Sequence, residues 1–124
     1  MSVACCPLQG ADDAYDVSVV NIRRAAKSHD CEECRDPIKP GDRYENYRGL
    51  GGGSWYEHKT CLSCVEIRDH FACNGWLFGQ LWEDLEGNFF PDMKAGGPCM
   101  QGLSPAAKGR LFERRMAWIE RRAS

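Results

Sequence analysis

The sequence predicts a small α+β protein: a core of cysteine knuckle, β-hairpin and helix, with additional helices on its C-terminal side. Three observations carry that reading. Two C-x-x-C pairs, Cys31-Glu32-Glu33-Cys34 and Cys61-Leu62-Ser63-Cys64, are separated by 26 residues. Between them, strand-favouring aromatics flank a glycine-rich stretch. After them, apolar residues recur at helical spacing. Each pair brings two thiolates onto one turn, where both sulfurs can point at a common centre about 2.3 Å away in tetrahedral geometry. The four cysteines therefore read as a site for a structural Zn2+ ion. Four thiolates also leave no open coordination position for water or substrate.

Composition frames this reading. The 124 residues are 43% apolar and include four Trp, four Tyr and five Phe, enough for one domain with a modest core. No apolar run reaches the roughly 18 residues of a membrane span, and the N-terminus shows neither a basic segment nor an apolar signal core. The expected setting is cytoplasmic, where paired C-x-x-C spacing favours reduced thiols and metal over disulfides. The net charge of −2 hides an asymmetry: residues 1–103 balance at −6 and residues 104–124 at +4. That basic end suits an acidic surface, a phosphate backbone or the acidic remainder of its own chain.

Residues 1–15 show no periodicity and read as a flexible arm, followed by a single zinc-finger domain over 16–124. Asp16 to Ile22 is rich in β-branched residues and reads as a strand, or as the lead-in to a helical turn through Arg23–Lys27. The zinc core is expected over 31–72. Its knuckle, Cys31–Cys34, is followed by turn chemistry at Pro37, Pro40 and Gly41. A hairpin then takes Arg43–Arg48 as its first strand, Gly49–Ser54 as its turn and Trp55–Lys59 as its second strand. Those glycines do not read as a phosphate loop, because a strand rather than a helix follows them. Thr60 is expected to cap a helix starting at Cys61. A helical extension over 76–86 carries Phe78, Leu81, Trp82 and Leu85 on one face, after a break at Asn74-Gly75. Residues 88–103 read as a loop anchored by Phe89, Phe90 and Met93. A basic amphipathic helix follows over 104–122, with Ser104 as N-cap, Pro105 at its first position and a stripe of Leu111, Phe112, Met116 and Ile119.

This succession resembles the treble-clef zinc finger. The stretch from Cys31 to about Leu85, including Lys59-Thr-Cys-Leu-Ser-Cys64 and Gly75-Trp-Leu-Phe-Gly79, is similar to small zinc-finger proteins encoded by bacteriophages and prophages. The resemblance covers a little under half of the chain. It implies a fold and a metal, with ligands falling on Cys31, Cys34, Cys61 and Cys64, and no assigned activity. His58-Lys-Thr-Cys61 offers a competing ligand set, Cys31, Cys34, His58 and Cys61. The all-cysteine set is preferred, because a helix capped by Thr60 places Cys61 and Cys64 one turn apart. Cys73 and Cys99 read as small buried apolar residues. A second metal site drawing on Cys5, Cys6, Cys73 or Cys99 with His29 or His70 lacks supporting spacing.

The leading functional expectation is a non-catalytic binding module that meets a host protein partner. The alternative is a DNA- or RNA-binding regulator. The candidate partner surface comprises Tyr44, Tyr47 and Trp55 of the hairpin, with Arg43 and Arg48, and Arg110, Arg114, Arg115, Arg121 and Arg122 of the last helix. Against nucleic acid stand the pI of 5.9 and the acidic residues spread through the first 103 positions. An enzyme is not expected: Pro98-Cys99-Met100-Gln101-Gly102 lacks the second cysteine of a zinc deaminase motif, and His29, His58 and His70 follow no catalytic pattern.

Overall fold

The computed structural model describes residues 5–10, 15–73, 75–93 and 97–123, with Asp92 by its backbone alone. Residues 1–4 and 11–14 of the expected arm, Asn74 at the expected helix break, 94–96 of the expected loop and Ser124 lie outside the described residues. In chain order the elements are β1 (Val17–Arg24), β2 (His29–Asp30), β3 (Pro37–Ile38), β4 (Arg43–Gly51), β5 (Ser54–Cys61), α1 (Leu62–Phe71), α2 (Leu81–Asn88) and α3 (Pro105–Ala123). Single 3-10 turns lie at Phe90–Asp92 and Pro98–Met100. The class is mixed α+β, as expected.

Strands β1, β4 and β5 form an antiparallel sheet with β4 in the middle, while β2 and β3 make a two-residue ladder around the knuckle. Arg23 and Arg24 extend β1 rather than starting a helical turn, because β4 offers Tyr44 and Arg43 as partners in register. The hairpin is tighter than the sequence suggests. β4 runs through Gly49 to Gly51, and the turn is Gly52-Gly53 alone, with φ of 60° and 82°. Positive φ at both central positions matches the right-handed twist of the flanking strands, and glycine adopts it without steric cost. Gly49 serves another purpose: a Cβ there would overlap the ring of Tyr15, which lies across the strand.

Two expected helix starts are corrected. Thr60 is not the cap of α1: it is fully buried within β5, opposite Glu45. The strand continues to Cys61, which is itself the extended N-cap residue and makes no capping hydrogen bond with its side chain. The ladder with β4 thus takes the residue that local capping preference would have used. Phe78 likewise leaves the expected helical face. Gly79, at φ 83°, breaks the chain direction before α2, so Leu81, Trp82 and Leu85 are the buried face and Phe78 stacks elsewhere.

The core lies where α1, α2 and α3 meet, around Ile67, Phe71, Leu85, Phe90 and Leu111. Phe89, Phe90 and Met93 anchor the segment after α2 as expected. Ser104 caps α3, its hydroxyl accepting the Ala107 N–H at 3.1 Å. The expected stripe holds in part: Leu111 is buried and Phe112 packs against the core, but Met116 is 53% exposed. Ala107 and Trp118 join the inward face, and Arg114 and Arg115 are partly buried beside it. Long basic side chains cover apolar surface with their methylenes, a role that a count of apolar residues misses.

The described part of the arm is tied down. Cys5 is disulfide-bonded to Cys99 and Cys6 to Cys73, with Cα separations of 5.2 and 5.3 Å. Leu8 is buried in the core. The Gln9 N–H donates to Asp84 and the Asn88 amide donates to the Pro7 carbonyl. The expectation of reduced, merely buried Cys73 and Cys99, and the thought of metal at these four thiols, give way to two disulfides. No local spacing signals them, because partners 94 and 67 residues apart meet only through the fold.

Candidate metal centre

Four elements deliver the four sulfurs. Cys31 follows β2, Cys34 closes the knuckle, Cys61 ends β5 and Cys64 lies in the first turn of α1. The knuckle is folded by Arg35 N–H to Cys31 C=O at 2.9 Å and Cys31 N–H to Asp36 C=O at 3.0 Å. Arg35 adopts φ 67° to make this turn, a left-handed conformation unusual for a side-chain-bearing residue. Glu32 N–H donates to Lys59 C=O at 2.8 Å, which fastens the knuckle to β5 and brings Cys34 against Cys61.

The four Sγ atoms lie within 4.8 Å of one another, and Cys34 Sγ is 3.9 Å from Cys61 Sγ. A tetrahedron with 2.3 Å metal–sulfur bonds has edges of about 3.8 Å. Cys31, Cys34 and Cys64 are buried, and Cys61 is partly so. The Cys61 N–H points at Cys31 Sγ from 3.4 Å, a contact suited to a thiolate. The cluster therefore fits one four-coordinate metal ion, with these residues as its complete shell.

Electrostatics explain why a cation suits the site. Hydrogen bonding with Cys34, then Cys61 and Cys64, holds the Cys31 thiol far below its ordinary range. Cys31 pushes Cys34 up, but Cys61 and Cys64 outweigh it and bring Cys34 down to about 7. Cys61 and Cys64 are pushed up, each foremost by Cys31. A divalent ion at the centre allows all four to ionise. That assembly carries a net charge of −2, and α3 supplies cations beside it. Arg110 pairs with Asp36 at 2.6 Å, and Arg114 donates to the Cys34 carbonyl at 3.1 Å. Burial alone would lower Arg110, but the charges of Cys34, Asp36, Cys64 and Cys61 hold its pKa up.

His58 lies beside the site with both ring nitrogens engaged. Nδ1 is 2.6 Å from Glu32 and Nε2 is 2.7 Å from the Tyr15 hydroxyl. Its ring stacks on Phe78 at 3.8 Å, with the two ring planes nearly parallel. Burial, then the charge of Glu32, raises the Tyr15 pKa, so the phenol stays protonated beside the His58 ring, which bridges it to Glu32. This chain holds Tyr15 and the hairpin against the knuckle. His29 packs against Tyr44, and His70 bonds the Cys99 carbonyl at 2.6 Å, so the three histidines serve three separate neighbourhoods.

The remaining candidate residues are scattered. Tyr44 is buried in the core, Tyr47 packs edge-on to Phe78, and Trp55 is half exposed with the Arg48 guanidinium 5.2 Å from its ring. The arginines of α3 are engaged with the chain itself. Besides Arg110 and Arg114, Arg115 donates to Phe90 C=O at 3.0 Å, Arg121 pairs with Glu86 at 2.8 Å, and Arg122 lies over Trp118. Arg114 also lies over Trp82. Sequence reasoning missed two buried features nearby. Arg68 makes a bidentate pair with Glu45 at 2.8 and 2.9 Å beneath Trp76, and Glu33 accepts the N–H groups of Gly79 and Leu81 at 3.1 Å each. A charged residue inside an amphipathic helix pattern was the available signal for Arg68; Glu33 left none.

The fold and site define an α+β protein with a four-cysteine centre able to hold a metal ion. The chain matches no protein-family model, no curated protein and no solved structure. No helix among the described residues is long and apolar enough to cross a membrane.

Proposed function

We propose that this chain is a non-catalytic zinc-finger binding module of treble-clef type, phage or prophage encoded, that acts on a host protein in the bacterial cytoplasm. The observation that carries the reading is the closed four-cysteine cluster. Four thiolates prefer Zn2+ among common divalent ions, and a filled tetrahedral shell serves folding and surface rigidity rather than catalysis. The engagement of the α3 arginines with Asp36, Glu86, backbone carbonyls and indole rings weakens the nucleic-acid alternative. That alternative retains one supporting feature, the exposed Trp55 with Arg48 above it, which could stack a base beside a phosphate contact.

Two measurements test the proposal. Native mass spectrometry is expected to find one zinc per chain, and a folded protein with four metal-free thiols at these positions would overturn the metal assignment. Binding to single- and double-stranded oligonucleotides, followed as salt is raised, is expected to stay weak. Sub-micromolar affinity at physiological salt with a steep salt slope would install the nucleic-acid reading instead. The cytoplasmic setting carries its own condition, since disulfides persist in oxidising compartments. Alkylation of acid-trapped protein from cells tests it: Cys5, Cys6, Cys73 and Cys99 recovered as the two disulfides of the structure would move the protein out of that compartment, and their recovery as free thiols would keep it there.

A further inference from the structure

All eight residues of β1 are exposed, and β1 is an edge of its sheet, with no strand on its outer side among the described residues. Val17, Val19, Val20 and Ile22 are 44–54% exposed, and they occupy both faces of the strand. An edge of this kind presents a row of unpaired backbone groups that template another strand, and natural edges are usually guarded by lysine, proline or a bulge. β1 has none of these within Val17–Ile22.

We propose that this edge pairs with β1 of a second copy of the chain, antiparallel, about a twofold axis through Val20. The strand's own charge pattern selects this occupant and this register. An antiparallel pair related by a twofold axis perpendicular to the sheet keeps each face continuous, so residues of equal parity lie opposite one another. With Val20 on the axis, Asp16 of each copy faces Arg24 of the other, Ser18 faces Ile22, Val19 faces Asn21 and Val17 faces Arg23. Opposite charges thus meet at both ends of the pairing, and valines meet at its centre. Asp16 and Arg24 form no ion pair among the described residues. A shift of two residues in either direction removes the Asp16–Arg24 match. The product is a continuous six-stranded sheet in which β4 and β5 keep their places.

Sedimentation of the metal-loaded full chain is expected to show a monomer–dimer equilibrium in the micromolar range. Val20→Lys sets two lysines against each other on the axis and is expected to yield monomer, with thermal unfolding and zinc content unchanged. Asp16→Arg alone, or Arg24→Asp alone, places like charges opposite and is expected to weaken association several-fold. The double exchange is expected to restore it. Hydrogen exchange of wild-type β1 amides should slow as concentration rises. A chain that stays monomeric up to millimolar concentration overturns the proposal. So does a dimer indifferent to Val20→Lys, or one that the double exchange does not restore. Pairing of β1 only with an added unrelated peptide overturns it in favour of strand capture.

Discussion

Glu33 lies inside the first C-x-x-C pair, yet its carboxylate accepts the N–H groups of Gly79 and Leu81, where α2 begins. Burial, the largest influence, pushes its pKa up, while the two N–H bonds pull it down. Because the folded value is raised, the proton binds more tightly to the folded chain. Its contribution to stability is therefore full below the ordinary carboxylate range and is lost as pH rises through the raised value. Glu33→Ala leaves two backbone donors without their partner and is expected to cost about 1–3 kcal/mol in urea unfolding, with metal stoichiometry retained. The Arg68–Glu45 pair is more severe. Both side chains are at most 6% exposed, so Arg68→Ala strands a buried carboxylate and is expected to cost roughly 3–5 kcal/mol. Replacing both by apolar residues of similar volume is expected to recover most of that loss. For His58, whose nitrogens serve Glu32 and Tyr15, alanine substitution is expected to leave metal stoichiometry by native mass spectrometry unchanged, whereas Cys64→Ser abolishes tight binding. The opposite pattern would reinstate the histidine ligand set.

A hydrogen-bonded point joins helix α1 to the start of α3. Glu66 of α1 accepts the Ser104 N–H and the Ser104 hydroxyl, both at 2.7 Å, while that hydroxyl accepts Ala107 N–H at the start of α3. The Ser104 N–H, foremost, and then its hydroxyl hold the Glu66 pKa below the ordinary value. A depressed carboxylate stabilises the fold above its unfolded pKa, about 4.3, and the gain is lost as pH falls through the folded value. Hydrogen-exchange protection factors at the start of α3 should therefore fall on acidification, and Glu66→Gln should remove much of that pH dependence. The hairpin offers a parallel test. Gly49→Ala must displace the Tyr15 ring from the sheet, so the Tyr15–His58 bond is expected to break, which a changed His58 nitrogen resonance would report. Element identity was largely readable: the hairpin, the helix after the second cysteine pair and the basic last helix all fall near their expected positions. Their ends were not. Thr60 is a good capping residue that strand pairing claims, and Phe78 has helical spacing that Gly79 disrupts.

At the scale of the molecule, three kinds of cross-link hold a short chain together: the four-cysteine centre, the two disulfides and the α3 arginines that return to the knuckle. Removing metal from the centre is expected to unfold residues 31–72, since metal binding supplies folding free energy on the order of 10 kcal/mol in zinc-finger peptides. Circular dichroism during chelator titration would follow that loss. Reducing Cys5–Cys99 and Cys6–Cys73 acts elsewhere, freeing residues 5–10 from the chain just after α1 and from the Pro98–Met100 turn. Each such bridge is typically worth about 2–4 kcal/mol, and limited proteolysis near the N-terminus is expected to become faster with metal stoichiometry unchanged. Retention of full protease resistance after reduction would show that Leu8 and the hydrogen bonds to Asp84 and Asn88 suffice.

The sequence by itself determined what is local: two knuckle-forming cysteine pairs, a hairpin marked by aromatics and glycine, a capped basic helix, and hence an α+β class with a metal-ready core. Those features follow from spacing and from the φ preferences of a few residues, so they need no distant partner. Only the tertiary structure decided which thiols stay free and which are oxidised, because Cys5 and Cys6 meet Cys99 and Cys73 across most of the chain. It also decided that Arg110, Arg114 and Arg115 of α3 turn back onto the fold, whereas Arg121 and Arg122 stay exposed. A basic helix face has the same pattern whether it meets solvent, phosphate or its own fold, and the choice rests on where Asp36, Glu86, Trp82 and the knuckle carbonyl come to lie.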